Sequence, residues 1–439
     1  MLRLSHWQAR VRAQVPAIGL FSMLAMLAML ACVPTASGQQ SGQGSVEVLT
    51  LREKPQPVAT ASGHILAGAK VSGRLVSLTD SGVTVETRGG RVEVPSAEVL
   101  DVRFLLPAGT VPALTKPAAA WVRLVDGSLI GCGALSATPK LAKLQTEQLG
   151  PLSIPAAQVA SVRFGRADRG VIESWRELLG REIKRDRLVI LKGKTLDYLD
   201  GVVGSIDDKQ IKFLLDGDEI PVPLARVYGL IFFRKPQGRA AAGPVCLATL
   251  RSGDRFGLAK VRVDEKTCRG TLAGGAAVSV SVSQIERLDF TASRLVYLSA
   301  ITPRDVEHVP YFDVTWKYRR DRNLDGGPLK VGGQRFARGL ALHSKTRLVY
   351  SLAARHRRFQ AWMGIDDLVG RRGNVHVVIS ADGKTLLETD VKGTDKPRLV
   401  DLDITGKREL QILVDFGGDL DIADHLDLAD ARLIRKESP

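Results

Sequence analysis

Short runs in which apolar and polar residues alternate fill most of the chain, and Gly, Pro, Asp and Asn punctuate them. A period of two predicts β-strands, because successive side chains of a strand point to opposite faces. WVRLVDGSLIGCGAL (121–135), DRLVILKGKTLDYLDGVV (186–203) and CLATLRSGDRFGLAKV (246–261) each read as two strands around a turn, at Asp126-Gly127, Lys192-Gly193 and Ser252-Gly253. Alternation on both sides of a Gly-containing turn is a hairpin signature. IKFLLDGDEIPVPL (211–224) adds a third and fourth strand. One stretch departs from this pattern. In IESWRELLGREIKR (172–185), Ile172, Trp175, Leu178, Leu179 and Ile183 fall at helical spacing and predict a helix packed across a neighbouring repeat.

An eleven-residue phrase recurs four times: VPSAEVLDVRF (94–104), IPAAQVASVRF (154–164), VPLARVYGLIF (222–232) and VSVSQIERLDF (280–290). Its closing residues, Phe104, Phe164, Phe232 and Phe290, lie 60, 68 and 58 residues apart. About five short strands per copy describe a small barrel of the SH3-like or Sm-like kind. The expected units are 46–106, 120–166, 186–234 and 244–292, with a helical linker at 167–185. The first copy is the most divergent. PAGTVPALTKPAAA (107–120) and RKPQGRAAAGP (234–244) have the composition of extended or flexible linkers. What recurs is apolar or turn-forming, and no His, Cys or carboxylate returns at a fixed repeat position. Shared cores with divergent surfaces predict spacer or protein-contact modules rather than active sites.

At 439 residues the chain is too long for one core. Its 44% hydrophobic and 25% charged residues are those of a folded protein. The formal charge of +15 raises the question of nucleic acid, but the basic residues are scattered among acids without interleaved aromatics, so no nucleic-acid partner is expected. Residues 1–38 read as a signal peptide: Arg3, Arg10 and Arg12 precede an apolar run at 18–32, and Ala36 and Gly38 fit a cleavage before Gln39. Export to the periplasm, cell envelope or exterior is the expectation. Lipidation at Cys32 and an uncleaved anchor are the alternatives. Cleavage leaves Cys132, Cys246 and Cys268, of which Cys246 and Cys268 either bridge or serve as small buried residues.

From Tyr297 the texture changes. YRRDRNLDGGPLKVGG (318–333), GLALHS (339–344), GIDD (364–367) and DHLDLADARL (424–433) together resemble the NPCBM/NEW2 family, carbohydrate-binding modules found with family 98 and other glycoside hydrolases. The resemblance covers 297–435, within an expected unit of 297–437, and implies a galactose-binding-like β-sandwich. The residues support it independently, since RLVYSL, RRFQAWMGI, VHVVISA, ELQILVDF and similar runs recur between turns at 370–373, 382–383, 393–397 and 406. The expected fold class is therefore all-β, with tandem SH3-like or Sm-like barrels before the sandwich. The family usually reads GDHADWADARL where this chain has ADHLDLADARL, so Ala423 replaces Gly and Leu428 replaces Trp.

Sugar sites need an aromatic face to stack on a ring and polar groups for its hydroxyls. The carbohydrate-binding candidates are Trp316, Tyr318, His343, Asp366, Asp367, Asp424, His425 and Asp427. Trp316 and Tyr318 are expected on one strand face, as a sugar platform or a sheet contact, and Trp362 in the core. Asp424, Asp427 and Asp430 are expected to neutralise arginines such as Arg432 or to hold a structural calcium ion. No catalytic residue or other cofactor is expected. Once the repeats and sandwich are assigned, no room remains for a glycosidase scaffold with two carboxylates at fixed separation, and no GxSxG, HExxH or P-loop occurs. The reading is a non-catalytic binder of a polysaccharide or glycoconjugate. The alternatives are an envelope protein-interaction scaffold and, third, an enzyme with an unfamiliar site.

Overall fold

The computed structural model describes residues 45–51, 56–59, 65–106, 116–165, 168–235, 244–312, 314–352 and 354–436. Residues 1–38, read as a signal peptide, with Cys32 among them, and most of both inter-repeat linkers lie outside these residues. Nearly every described element is a strand.

Each recurring phrase folds the same way. Its opening residues end one strand, Pro95, Pro155, Pro223 or Ser281 leads into a single 3-10 turn, and the aliphatic residues form the next strand. That strand pairs antiparallel with the first strand of its own copy: Val99–Phe104 with Ser45–Thr50, Val159–Phe164 with Ala120–Leu124, Val227–Ile231 with Asp186–Lys192, and Ile285–Asp289 with Cys246–Leu250. The sheet thereby curls back on itself around an apolar interior that includes Val48, Val122, Leu188 and Ala248.

The copies are not independent of one another. The last strands of the first and fourth pair antiparallel, Val102 opposite Leu288, and those of the second and third do likewise, Val162 opposite Leu230. Asp101, buried at the first seam, accepts hydrogen bonds from Arg287 across it (2.7 Å) and from Arg103 (3.0 Å). The second and fourth copies are joined by their first hairpins. Leu129 bridges Arg255, the Gly131 N–H donates to Asp254 Oδ1 (2.7 Å), and the Gly257 N–H donates to Ser128 Oγ (2.9 Å). Asp254 and Ser128 occupy equivalent hairpin positions, as do Gly131 and Gly257, so the contact is reciprocal. The contact order is thus first, fourth, second, third.

Helix Arg169–Gly180 buries Val171, Trp175 and Leu178 against Val189, Tyr228 and Ile231 of the third copy. Val171 rather than Ile172 takes the inner position. Cys132, Cys246 and Cys268 are free and buried, so Cys246 and Cys268 do not bridge. Burial pushes the Cys132 and Cys268 thiols up to about 12, which leaves them uncharged and unreactive at neutral pH.

The C-terminal part is a sandwich of two antiparallel sheets. One runs Arg319–Arg320, Gly339–Leu342, Leu426–Arg435, His356–Ile365, Arg398–Asp403, with Leu295–Tyr297 also against Leu426–Arg435. The other runs Asp305–His308, Thr346–Ser351, Glu409–Phe416, Asn374–Ala381, Lys384–Lys392. Leu340, Tyr350, Phe359, Ile379 and Ile412 fill the space between them. Leu51 and Leu100 of the first repeat pack with Leu295 and Ile434. Among the described residues no helix is long and apolar enough to cross a membrane.

Candidate functional site

Three candidate side chains meet at one end of the sandwich. The Trp316 indole stacks on the His343 imidazole (centroids 5.3 Å apart, planes 13° from parallel) and lies 5.1 Å from His425. His343 ends the strand Gly339–Leu342, and His425 precedes Leu426–Arg435. These strands are neighbours, which sets the two rings 5.6 Å apart. His343 Nδ1–H donates to the Ser344 carbonyl (2.8 Å), leaving Nε2 as the acceptor nitrogen. The backbone at Trp316 is fixed by His308, whose Nε2 accepts the Trp316 N–H (3.1 Å), so its Nδ1–H must donate to Thr346 Oγ1 (2.8 Å). Burial lowers the pKa of His308, His343 and His425 alike, and all three are neutral at pH 7.

The loop ahead of Trp316 was not legible as a site. Tyr311 and Phe312 are each 52% exposed and edge-to-face with one another (4.9 Å), and Tyr311 also meets Phe416. Buried Asp421 holds the loop, its Oδ2 accepting the Tyr311 N–H (3.0 Å) and the Phe312 N–H (3.4 Å). Val309, Val314 and Ile422 are also exposed. The one sequence signal was an aromatic pair in an unpatterned stretch of an aromatic-poor chain.

The other candidates scatter. Residues 314–318 form no strand, so Trp316 and Tyr318 do not share a strand face. Tyr318 packs against the sandwich core instead, and its hydroxyl accepts from Arg320 (2.9 Å). Trp362 is half-buried in a side cluster with Leu329 and Phe336. Asp367 accepts the Gly332 and Gly333 N–H groups (2.7 and 2.8 Å) and so fastens the turn between Leu329–Val331 and Gln334–Phe336. Asp366 and Asp427 are both 1% exposed. Burial, then hydrogen bonding to Asp366, raises the Asp427 carboxyl well above the ordinary range. Asp424, Asp427 and Asp430 take separate partners, respectively Ser344, Asp366 and Arg432, and do not converge. No group of three or more His, Cys, Asp or Glu placed to hold a metal occurs among the described residues.

The departures at Leu428 and Ala423 have structural consequences. Leu428 is fully buried in the sandwich core, so this replacement concerns packing rather than an exposed platform. Ala423 has φ +60°, a left-handed conformation in which a residue with a Cβ is strained by roughly 1–2 kcal/mol and Gly is not.

The family model described as NPCBM/NEW2 domain matches residues 294–434. This segment is an NPCBM/NEW2 domain. The chain is 28% identical over 95 residues to a Renibacterium salmoninarum protein provisionally named endo-alpha-N-acetylgalactosaminidase, an alignment spanning 21% of this chain and 6% of that protein. A CBM51 module from Clostridium perfringens GH95, solved in complex with methyl-galactose, is 24% identical, with 32% of this chain and 99% of that one covered at a TM-score of 0.29. Tandem CBM51 modules of a family 98 glycoside hydrolase from Streptococcus pneumoniae are 15% identical, covering 58% and 90% at 0.29.

Within the NPCBM/NEW2 domain, Asp424 links stability to pH. Its carboxyl, bonded to the Ser344 hydroxyl and to the Asn374 N–H (3.3 Å), is pushed up from 3.8 to about 6, chiefly by burial. A raised carboxyl favours the folded state fully below its unfolded value and loses that contribution as pH rises through the folded value. Asp424→Asn is therefore expected to gain on the parent by roughly 2–3 kcal/mol between pH 4 and 7. Urea unfolding at several pH values reads this directly, and parallel curves would exclude it.

Proposed function

We propose that the protein is an exported, non-catalytic carbohydrate-binding protein that recognises a polysaccharide or glycoconjugate through its NPCBM/NEW2 domain. The observation that carries this reading is the exposed aromatic pair Tyr311 and Phe312, held by Asp421 beside the Trp316–His343–His425 cluster. Apolar ring faces next to neutral imidazoles offer what a sugar needs: a surface for its C–H face, and donors and acceptors for its hydroxyls. Trp316, His343 and His425 are the site residues, whereas Asp424, fully buried and bonded to Ser344 and Asn374, supports them from behind. Tyr311 and Phe312 are added, and Tyr318, Asp366, Asp367 and Asp427 become supports of the fold. The complex of a CBM51 module with methyl-galactose makes galactosides the first ligands to try.

Non-catalysis rests on the carboxylates. Asp366 and Asp427 form the one closely paired set in the domain's candidate list, and both are shut away from substrate. The N-terminal charge and apolar run support export. We assign the four repeats as the platform that carries the domain.

The exposed Val309, Val314 and Ile422 around the aromatic pair favour one second reading, docking of an envelope protein partner on an apolar patch. A glycan array probed with the full chain separates the two. Saturable binding is expected, weakened about tenfold or more by Tyr311→Ala or Trp316→Ala, the ~1.4 kcal/mol that one stacking contact supplies. A folded chain that binds no glycan leaves the docking reading.

A further inference from the structure

At one strand position the second repeat alone carries an aromatic residue. Trp121 stands opposite Arg163, where the other copies place Glu47, Arg187 and Leu247 on the equivalent strand. The indole rests on the bare backbone of the two interlocked hairpins: a Cβ added at Gly131 or at Gly253 would lie 3.4 Å from the ring edge. A cavity of about 730 Å³ opens around it at the junction of the second and fourth repeats. That is the size of an ordinary small-molecule pocket. Gln145, Gln148, Arg163, Ile172 and Ser252 line it with Trp121.

One wall is fixed by hydrogen bonds between the hairpins. Asp254, 5% exposed, accepts the Gly131 N–H from one hairpin (2.7 Å) and the Ser252 hydroxyl from the other (2.5 Å). With its proton committed to Asp254, Ser252 Oγ is left as an acceptor. The two glutamine amides each offer donors and an acceptor. Lys116 and Arg163 are offset by Glu147 and Asp254, so the charge does not select a phosphate. Apart from Trp121 the apolar side chains of the lining are Pro117, Ala118, Cys132 and Ile172. An aromatic floor with mixed donors and acceptors and balanced charge suits a neutral polyol ring.

We propose that this cavity is a second carbohydrate site, taking one or two neutral pyranose rings stacked on Trp121. It is independent of the site in the NPCBM/NEW2 domain and shares no residue with it. Calorimetric titration of the full chain with the methyl glycosides of galactose and glucose and with N-acetylglucosamine tests it. Trp121→Ala is expected to weaken one set of sites about tenfold or more, equivalent to ~1.4 kcal/mol, whereas Tyr311→Ala leaves that set unchanged. Should Trp121→Ala disturb the repeats, as judged by circular dichroism, Trp121→Phe and Gln148→Ala carry the test: Phe retains binding and the glutamine variant weakens it. Absence of binding to all three sugars, or binding indifferent to Trp121→Ala and Gln148→Ala, overturns the proposal.

Discussion

Asp430→Asn is expected to lower the stability of the sandwich by about 3–5 kcal/mol, the loss found when one partner of a buried ion pair is removed. Arg432 is fully buried in Leu426–Arg435, the strand at the middle of its sheet. Its guanidinium lies 3.1 Å from Asp430 Oδ2 and donates to Gln360 Oε1 through Nε (3.2 Å) and Nη2 (3.0 Å). Asp430 itself is 2% exposed and has φ +53°. It sits in a bulge, because Gln360 pairs with Arg432 while Trp362 pairs with Ala429. Asn tolerates the left-handed backbone nearly as well as Asp, so this substitution removes the charge without adding strain. Arg432→Met in addition should recover most of the loss, since removing both charges restores neutrality. Urea unfolding of the single and double variants measures this. A single-variant loss below about 1 kcal/mol would show that water reaches the guanidinium.

The strands were legible because their code is local. Alternation fixes which residues face inward, and Pro95, Pro155 and Pro223 mark the turn before the closing strand wherever they fall. The pairing between repeats was not legible. Val102 and Leu288 are inward apolar residues of their own copies and would look the same without the seam that aligns them. Spacing alone did not separate Val171 from Ile172 as the buried residue, because both fit one face of the helix. The aspartates at 424, 427 and 430 read as a cluster, but a strand with a bulge sends them to different neighbours. Alternation also assigned Trp316 and Tyr318 to one face, although no partner strand exists at 314–318 to enforce it. Tyr311 and Phe312 lie in a loop that Asp421, more than a hundred residues away, holds in place. A long-range contact of that kind leaves no periodic trace.

Trp175→Ala is expected to detach helix Arg169–Gly180 and to cost about 3–5 kcal/mol, the range for deleting a buried aromatic. The helix has few other holds. Only Val171, Trp175 and Leu178 are buried along it, and Trp175 meets Tyr228 edge-to-face at 5.7 Å. The indole also occupies the space above Gly229, in the strand that pairs with the second repeat. A Cβ there would stand 2.6 Å from the ring and 2.7 Å from the Val162 carbonyl oxygen, so the site accepts only glycine without movement. Gly229→Val should therefore expel the helix while leaving every helical residue intact. Hydrogen exchange read on 169–180 distinguishes this from a general loss of stability. Both variants should strip protection from the helix and leave the sandwich strands protected. Protection surviving in Gly229→Val would mean that the seam between the second and third repeats yields before the helix does.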